Sequence, residues 1–343
     1  MTTQPVFRTL IPAAAFAVAA VFAPAPVSAE TVDTITKTFQ VGSGGKLSID
    51  VDAGSIEVRT GKADAVSVEV VRKFRASSKE KEQDMLAKHE VKIEQAGNDV
   101  SIYSRGEWGS KSLWNWFGAG TKREVRYVVT VPQAYNADLK TSGGPITASG
   151  LHGALVTHTS GGPMSFSDIR GPINGGTSGG PIDLENCEGD VDLHTSGGPI
   201  DADNCRGTFK LGSSGGPISI DGHVGRVNAH TSGGGIHVEN IDGSIDASTS
   251  GGPVTASFRG QPTGDCRLHT SGGGVSLDIP GNARFTLDAH TSGGGVSCDL
   301  QGGTVTEKSR GKLRASYNGG GPKIELTSSG GGISIDATGG VEG

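Results

Sequence analysis

Along most of this chain apolar and polar residues alternate, and the alternation itself recurs. Ile182-Asp183-Leu184-Glu185 has the period of two of a half-buried strand, Asn186 to Gly189 interrupts it, and Val191-Asp192-Leu193-His194-Thr195 resumes it. The stretch Thr195-Ser196-Gly197-Gly198-Pro199-Ile200 then turns the chain into the next copy. Near-copies of that stretch begin at Thr141, Thr159, Thr177, Ser213, Thr231 and Thr249, giving a period of 18 residues. Two more begin at Thr270 and Thr291 after intervals of 21, and a looser one begins at Ser328. A short fixed period implies a supersecondary unit that buries its apolar face only by stacking on its neighbours.

The pattern therefore predicts an all-β, parallel β-solenoid of the β-helix or β-roll kind, with 18-residue rungs of two strands each. Residues 141–300 are expected in register. The inward sites of the first strand hold Ile146, Met164, Ile182, Ile200, Ile218 and Ile236, and those of the second hold Val191, Phe209, Val227 and Ile245. Side chains of this size fill a narrow core between two sheets and leave no pore. The glycines of the corner are expected to supply positive φ. Pro145, Pro163, Pro181, Pro199 and Pro217 share one site, which must lie where pairing begins because proline has no N–H to give.

Residues 30–138 have a different texture and are expected to start and cap the stack, with residues 139–343 forming the repeat domain. Lys46-Leu47-Ser48-Ile49-Asp50-Val51, Ser55-Ile56-Glu57-Val58-Arg59 and Val66-Ser67-Val68-Glu69-Val70 read as strands. One short helix interrupts them, with Ser77 and Glu80 as a capping box and Met85 and Leu86 on one side. Asp52-Ala53-Gly54-Ser55 looks like a degenerate corner.

Composition adds an address. Arg8 precedes an apolar run over residues 10–23, and Val27-Ser28-Ala29 fits a cleavage site, so residues 1–29 read as a signal peptide. The run is short for an uncleaved anchor, which would need roughly 20 residues. The mature chain is thus expected in the periplasm, on the cell surface or outside the cell, with no integral membrane span. The 57 glycines and 5% aromatics of the sequence suit a glycine-cornered solenoid better than a conventional core. Residues 141–300 carry 7 Lys and Arg against 16 Asp and Glu, a surface that would repel nucleic acid.

The signal, the run Gly44 to Arg59, Val131-Pro132, Leu139-Lys140-Thr141-Ser142-Gly143-Gly144, the repeated Thr-Ser-Gly-Gly units and Asn318-Gly319-Gly320-Gly321-Pro322 together resemble the bacterial family of exported β-strand-repeat proteins named putative adhesin. The resemblance covers nearly the whole mature chain. It implies a β-solenoid in the cell envelope and supplies no catalytic motif.

Candidate chemistry lies in columns on the outer faces. Asp183, Glu185, Asp201 and Asp203 place four outward carboxylates on two adjacent rungs, either a weak calcium site or a solvated face. His158, His194 and His230 precede the motif threonine in alternate rungs, and His269 and His290 are expected in adjacent ones. Solvated imidazoles are the plainer reading of them, and a zinc or copper pair the sharper one. The threonines beside them are expected to form a hydroxyl ladder. Cys187 and Cys205 share a corner site in successive rungs, where either a disulfide or simple packing fits. Cys266 and Cys298 are expected reduced.

Trp108, Trp114, Trp116 and Phe117 lie in a Gly, Ser, Lys and Asn-rich segment, where they either plug the solenoid or form a binding patch. No cofactor is implied. The leading function is a non-catalytic, adhesin-like binding protein for a surface glycan or protein. The alternatives are a periplasmic structural or assembly scaffold without a specific ligand, and a carbohydrate-active β-helix enzyme.

Overall fold

The structure is a computed structural model describing residues 31–106 and 122–338. The signal-peptide reading and the aromatic cluster Trp108, Trp114, Trp116 and Phe117 lie outside the described residues.

Two parallel sheets face each other across a continuous apolar core that runs from Val41 to Ile335. One contains Ile146–Ser149, Met164–Ser167, Ile182–Glu185, Ile200–Asp203 and Ile218–Asp221. Its register pairs Ile182 with Ile200, Ile200 with Ile218, and Ile218 with Ile236, all fully buried. The second contains Leu155–Thr159, Ile173–Thr177, Val191–Thr195, Arg206–Ser213 and Val224–Thr231, again parallel and in register. Alternation with period two along each strand puts every second side chain into the core. Each of these rungs pairs with the one 18 residues on.

The two corners work differently. At the Thr-Ser-Gly-Gly corner the threonines point inward and are buried. They do not bond to one another. Each hydroxyl donates to the carbonyl of the second glycine one rung back, as in Thr159 to Gly144, Thr177 to Gly162 and Thr195 to Gly180 at 3.0–3.1 Å. It also accepts from the second glycine of its own corner, Gly198 N–H to Thr195 Oγ1 at 3.2 Å. A hydroxyl has both a donor and two acceptor lone pairs, so one threonine closes its own turn and ties two rungs.

These glycines are not there for positive φ. A Cβ on Gly198 would sit 2.0 Å from the carbonyl oxygen of Gly180, a close approach that only a residue without Cβ permits. Positive φ falls at the opposite corner, in the column Gly150, Asp168, Asn186, Asn204, Gly222 and Asn240, with φ between 53° and 75°. Asn and Asp are the non-glycine residues that tolerate this region.

That opposite corner also carries core. Leu151, Ile169, Cys187, Cys205, His223 and Ile241 stack there, all buried. Backbone bonds from Arg170 to Leu151, Glu188 to Ile169, Arg206 to Cys187 and Val224 to Cys205, at 2.8–2.9 Å, make the corner a ladder of its own. His223 is the polar member. Its Nε2 lies 3.1 Å from the Gly207 carbonyl, its ring packs at 4.5 Å on Phe209, and burial pushes its pKa down.

The ends abandon sequence order. Strands Lys46–Val51 and Ser55–Thr60 form a rung that stacks on residues 136–149. Its other edges meet Asp99–Gly106 and Lys122–Val131, so the first rung lies inside the stack. Antiparallel strands finish this end: Ala65–Arg75 on Lys122–Val131, Thr31–Gln40 on Ala65–Arg75, and His89–Ala96 on Asp99–Gly106. The helix Lys79–Ala87 packs beside them with Glu82 and Met85 buried. Its N-cap is Ser78, whose side chain accepts from Lys81 N–H, one residue later than the expected Ser77. Ser77 instead accepts from the Lys81 ammonium at 3.0 Å.

At the C-terminal end, Lys323–Ser328 and Ile333–Thr338 form a rung inserted between the rungs of residues 266–280 and 285–298. The threonine-type ladder continues through the insertion, from Ser328 to Gly273 and from Thr291 to Gly331. The hairpin Gly303–Ser309 and Lys312–Tyr317 then covers Phe285–Thr291 with an antiparallel strand.

Candidate binding faces

Outward residues inherit the register of the core, so each face carries columns. On the first sheet one column runs Thr147, Ser165, Asp183, Asp201, Ser219, His237 and Thr255. The next runs Ser149, Ser167, Glu185, Asp203, Asp221 and Glu239. The four acids Asp183, Glu185, Asp201 and Asp203 are thus neighbours, paired Asp183 with Asp201 and Glu185 with Asp203. Partial burial raises the pKa of Asp183 and of Asp201, and the Asp203 charge adds to it in both. These carboxylates project side by side, and among the described residues no group of three or more His, Cys, Asp or Glu is arranged to hold a metal ion.

A second acidic pair could not be found from spacing along the chain. Asp278 and Asp336 are 58 residues apart yet are direct cross-strand neighbours, because Asp336 lies on the inserted rung. Burial first, then Asp336 and Glu239, push the Asp278 carboxyl up.

On the second sheet the histidines form one stripe, in spatial order His158, Gly176, His194, Gly212, His230, Ser248, His269, Thr327 and His290. His269 and His290 are therefore not adjacent, because the inserted rung places Thr327 between them. Every imidazole stands on an alternate rung, roughly 9.6 Å from the next. Each has a small neighbour to lean over: a Cβ on Gly176 would lie 2.6 Å from Cε1 of His194, and Nδ1 of His230 is 2.9 Å from the Ser248 hydroxyl. Beside the stripe, charges pair across rungs: Lys210 with Asp192 at 2.8 Å, Arg314 with Asp288 at 3.2 Å and Arg267 with Glu325 at 3.7 Å.

The cysteines are thiols. Cys187 and Cys205 sit one above the other in the buried corner column, with Cys187 N–H donating to Cys205 Sγ at 3.4 Å. The contact between the two thiols pushes Cys205 up and Cys187 down, so Cys205 keeps its proton. Cys266 is buried opposite Ile324, and burial raises its pKa to about 11. Cys298 lies 3.1 Å from the Tyr317 hydroxyl.

A half-open pocket of about 230 Å³ stands near the N-terminal end, lined by Asp52, Phe74, His89 and Arg123 among others. His89 Nε2 is 3.1 Å from the Ser104 hydroxyl, and burial and then Arg72 push its pKa down to about 4. Arg123, Glu124 and Val125 of the strand Lys122–Val131 form one wall of the pocket.

Parallel rungs in register in two facing sheets define the class, an all-β solenoid with polar columns on its outer faces. The chain belongs to the Toastrack DUF4097 family, whose model matches residues 45–336. No curated protein matches it. Among solved structures it is similar to a “putative adhesin” from Parabacteroides distasonis, at 11% identity over 89% of this chain and 97% of that one, TM-score 0.39. It is similar to a “putative adhesin” from Bacteroides fragilis at 13% over 89% and 97%, TM-score 0.31. A “putative lipid binding protein” from Parabacteroides distasonis aligns at 11% over 90% and 97%, TM-score 0.26.

Proposed function

We propose that this chain is an exported cell-envelope protein that holds a surface glycan or protein, without catalysis, along a flat face of the solenoid. The observation that carries the reading is the register: equivalent polar side chains recur at one strand spacing, or two for the histidines, over many rungs. Such a surface offers the same contact repeatedly, and a partner with its own repeat gains avidity from each additional contact. Acid–base catalysis asks instead for two acids driven apart by unlike environments. Asp183 and Asp201 are shifted in the same direction, in both cases chiefly by burial and then by neighbouring carboxylates. That similarity argues against the carbohydrate-active reading.

The scaffold reading has one observation in its favour. Asp192, Asp288 and Glu325 are already paired within the second face, which leaves fewer charges there for a partner. Among the described residues no helix is long and apolar enough to cross a membrane. Protease shaving of intact cells separates the two: removal of the protein from the surface supports binding to an outside partner. Full protection, with the protein recovered from the periplasm, supports the scaffold.

A further inference from the structure

We infer that Cys187 and Cys205 are a built-in clamp, a thiol pair that closes into a disulfide between two adjacent central rungs. The two residues occupy equivalent places in the buried corner column, and the backbone holds those places one strand apart through Arg206 N–H to Cys187 carbonyl at 2.9 Å. The flanking Glu188 and Arg206 form a parallel bridge. Cα atoms at that separation, roughly 4.8 Å, lie inside the span a disulfide tolerates. The sulfur of Cys205 already leans toward its neighbour, since it accepts from the Cys187 N–H at 3.4 Å.

Neither remaining cysteine has such a partner. Cys266 faces Ile324 and Cys298 faces Ile335 across the ladder. The same φ of 53° at Asn186 and Asn204 aims the two cysteines alike, so closing the bond requires Cys187 Sγ, which lies 3.6 Å from the Phe166 carbonyl of the preceding rung, to rotate toward Cys205.

The oxidant is a small-molecule or protein disulfide. One thiolate of the pair attacks it, forms a mixed disulfide and releases the first thiol; the second thiolate then displaces the other thiol. Two protons and two electrons leave the pair, and one external disulfide becomes two thiols. Both cysteines are 1–2% exposed, so exchange takes place while the corner is open, during folding or local unfolding. Once closed, the bond shortens the loop available to the unfolded chain and raises stability.

The test uses the full chain and glutathione disulfide as oxidant, with one sample kept folded and one taken transiently through urea. Remaining thiols are alkylated under denaturing conditions and the chain is digested with trypsin. Residues 171–206 form one tryptic peptide containing both cysteines and no internal Lys or Arg. The expected result in the urea-treated sample is that peptide unalkylated, lighter by two hydrogens, and split into two disulfide-linked pieces only by a cut between Cys187 and Cys205. The oxidised protein should also melt higher than the reduced one, with no such difference in the variant Cys187→Ala, Cys205→Ala. Alkylation or glutathione adducts at both cysteines in both samples overturns the inference. So does a disulfide that joins two chains, or one that includes Cys266 or Cys298.

Discussion

The middle of the solenoid and its two ends obey different rules. Between residues 146 and 249 each strand pairs with the strand one period away, and the same hydroxyl-to-glycine bond, from threonine or from Ser213, repeats from turn to turn. At the ends the spatial neighbour is often far along the chain, as Leu268 is from Leu326, and antiparallel strands cover what parallel stacking leaves open. The difference shows what a repeat does not supply. A periodic sequence specifies how a rung meets another rung, but a last rung would present an unpaired edge to any other chain.

The largest expected effect tests the middle. Ile200→Asp places an unpaired charge in a fully buried stack and should cost about 4 kcal/mol or more, whereas outward Ser219→Ala should stay within about 0.5 kcal/mol. Denaturant melts of both variants check it, and equal midpoints would mean that the faces are assigned wrongly. Next comes the corner. Gly198→Ala meets the Gly180 carbonyl, while Gly197→Ala has its nearest neighbour at 3.7 Å. The first should lose about 1–3 kcal/mol by overpacking and the second almost nothing.

A smaller effect sharpens the picture of the C-terminal end. Gln261 clamps the backbone of Arg284 through two bonds of 2.8 Å, holding the link between the rungs that the inserted rung separates. Gln261→Ala should cost about 1–2 kcal/mol. Hydrogen exchange should rise over residues 281–298 and leave residues 182–231 unchanged. Uniform faster exchange would show that the end and the middle open together.

The smallest effect concerns charge in the middle. Because folding raises the carboxyl pKa of Asp183 and Asp201, their contribution is most favourable below the unfolded value near 3.9. It declines as pH rises through the higher folded value. At neutral pH the double change Asp183→Asn, Asp201→Asn should therefore raise stability, by about 0.2–1 kcal/mol for a like-charged cross-strand pair. The gain should vanish near pH 3. Repeating the melts with millimolar calcium and with chelator checks the cation reading: a shift confined to the native chain supports it, and equal shifts leave the column solvated.

The core of the middle was legible because three constraints agree there: strand alternation, the 18-residue period and the proline column. The glycine corner was found but its cause was not, since a close approach between rungs leaves no trace in one rung's own sequence. The order of the ends was hidden for a related reason. Residues 266–298 look like two successive rungs, and only the tertiary pairing of residues 323–338 separates them, which also parts His269 from His290 and joins Asp278 to Asp336. A weak signal did exist. The expanded segments around Gln261 and Arg284 depart from the period, and they are the two that touch. His223 escaped notice because its column looks like an exposed turn until the corner is seen to carry core.

The inserted last rung also bears on how such a chain can change length. A further 18-residue copy placed among residues 164–231 would meet the same surface above and below, and the rod would simply grow. A copy appended after residue 338 would find no free edge, because both neighbours of that rung are already occupied. The interior is thus where this register accommodates an added unit, with the two ends travelling apart as intact pieces.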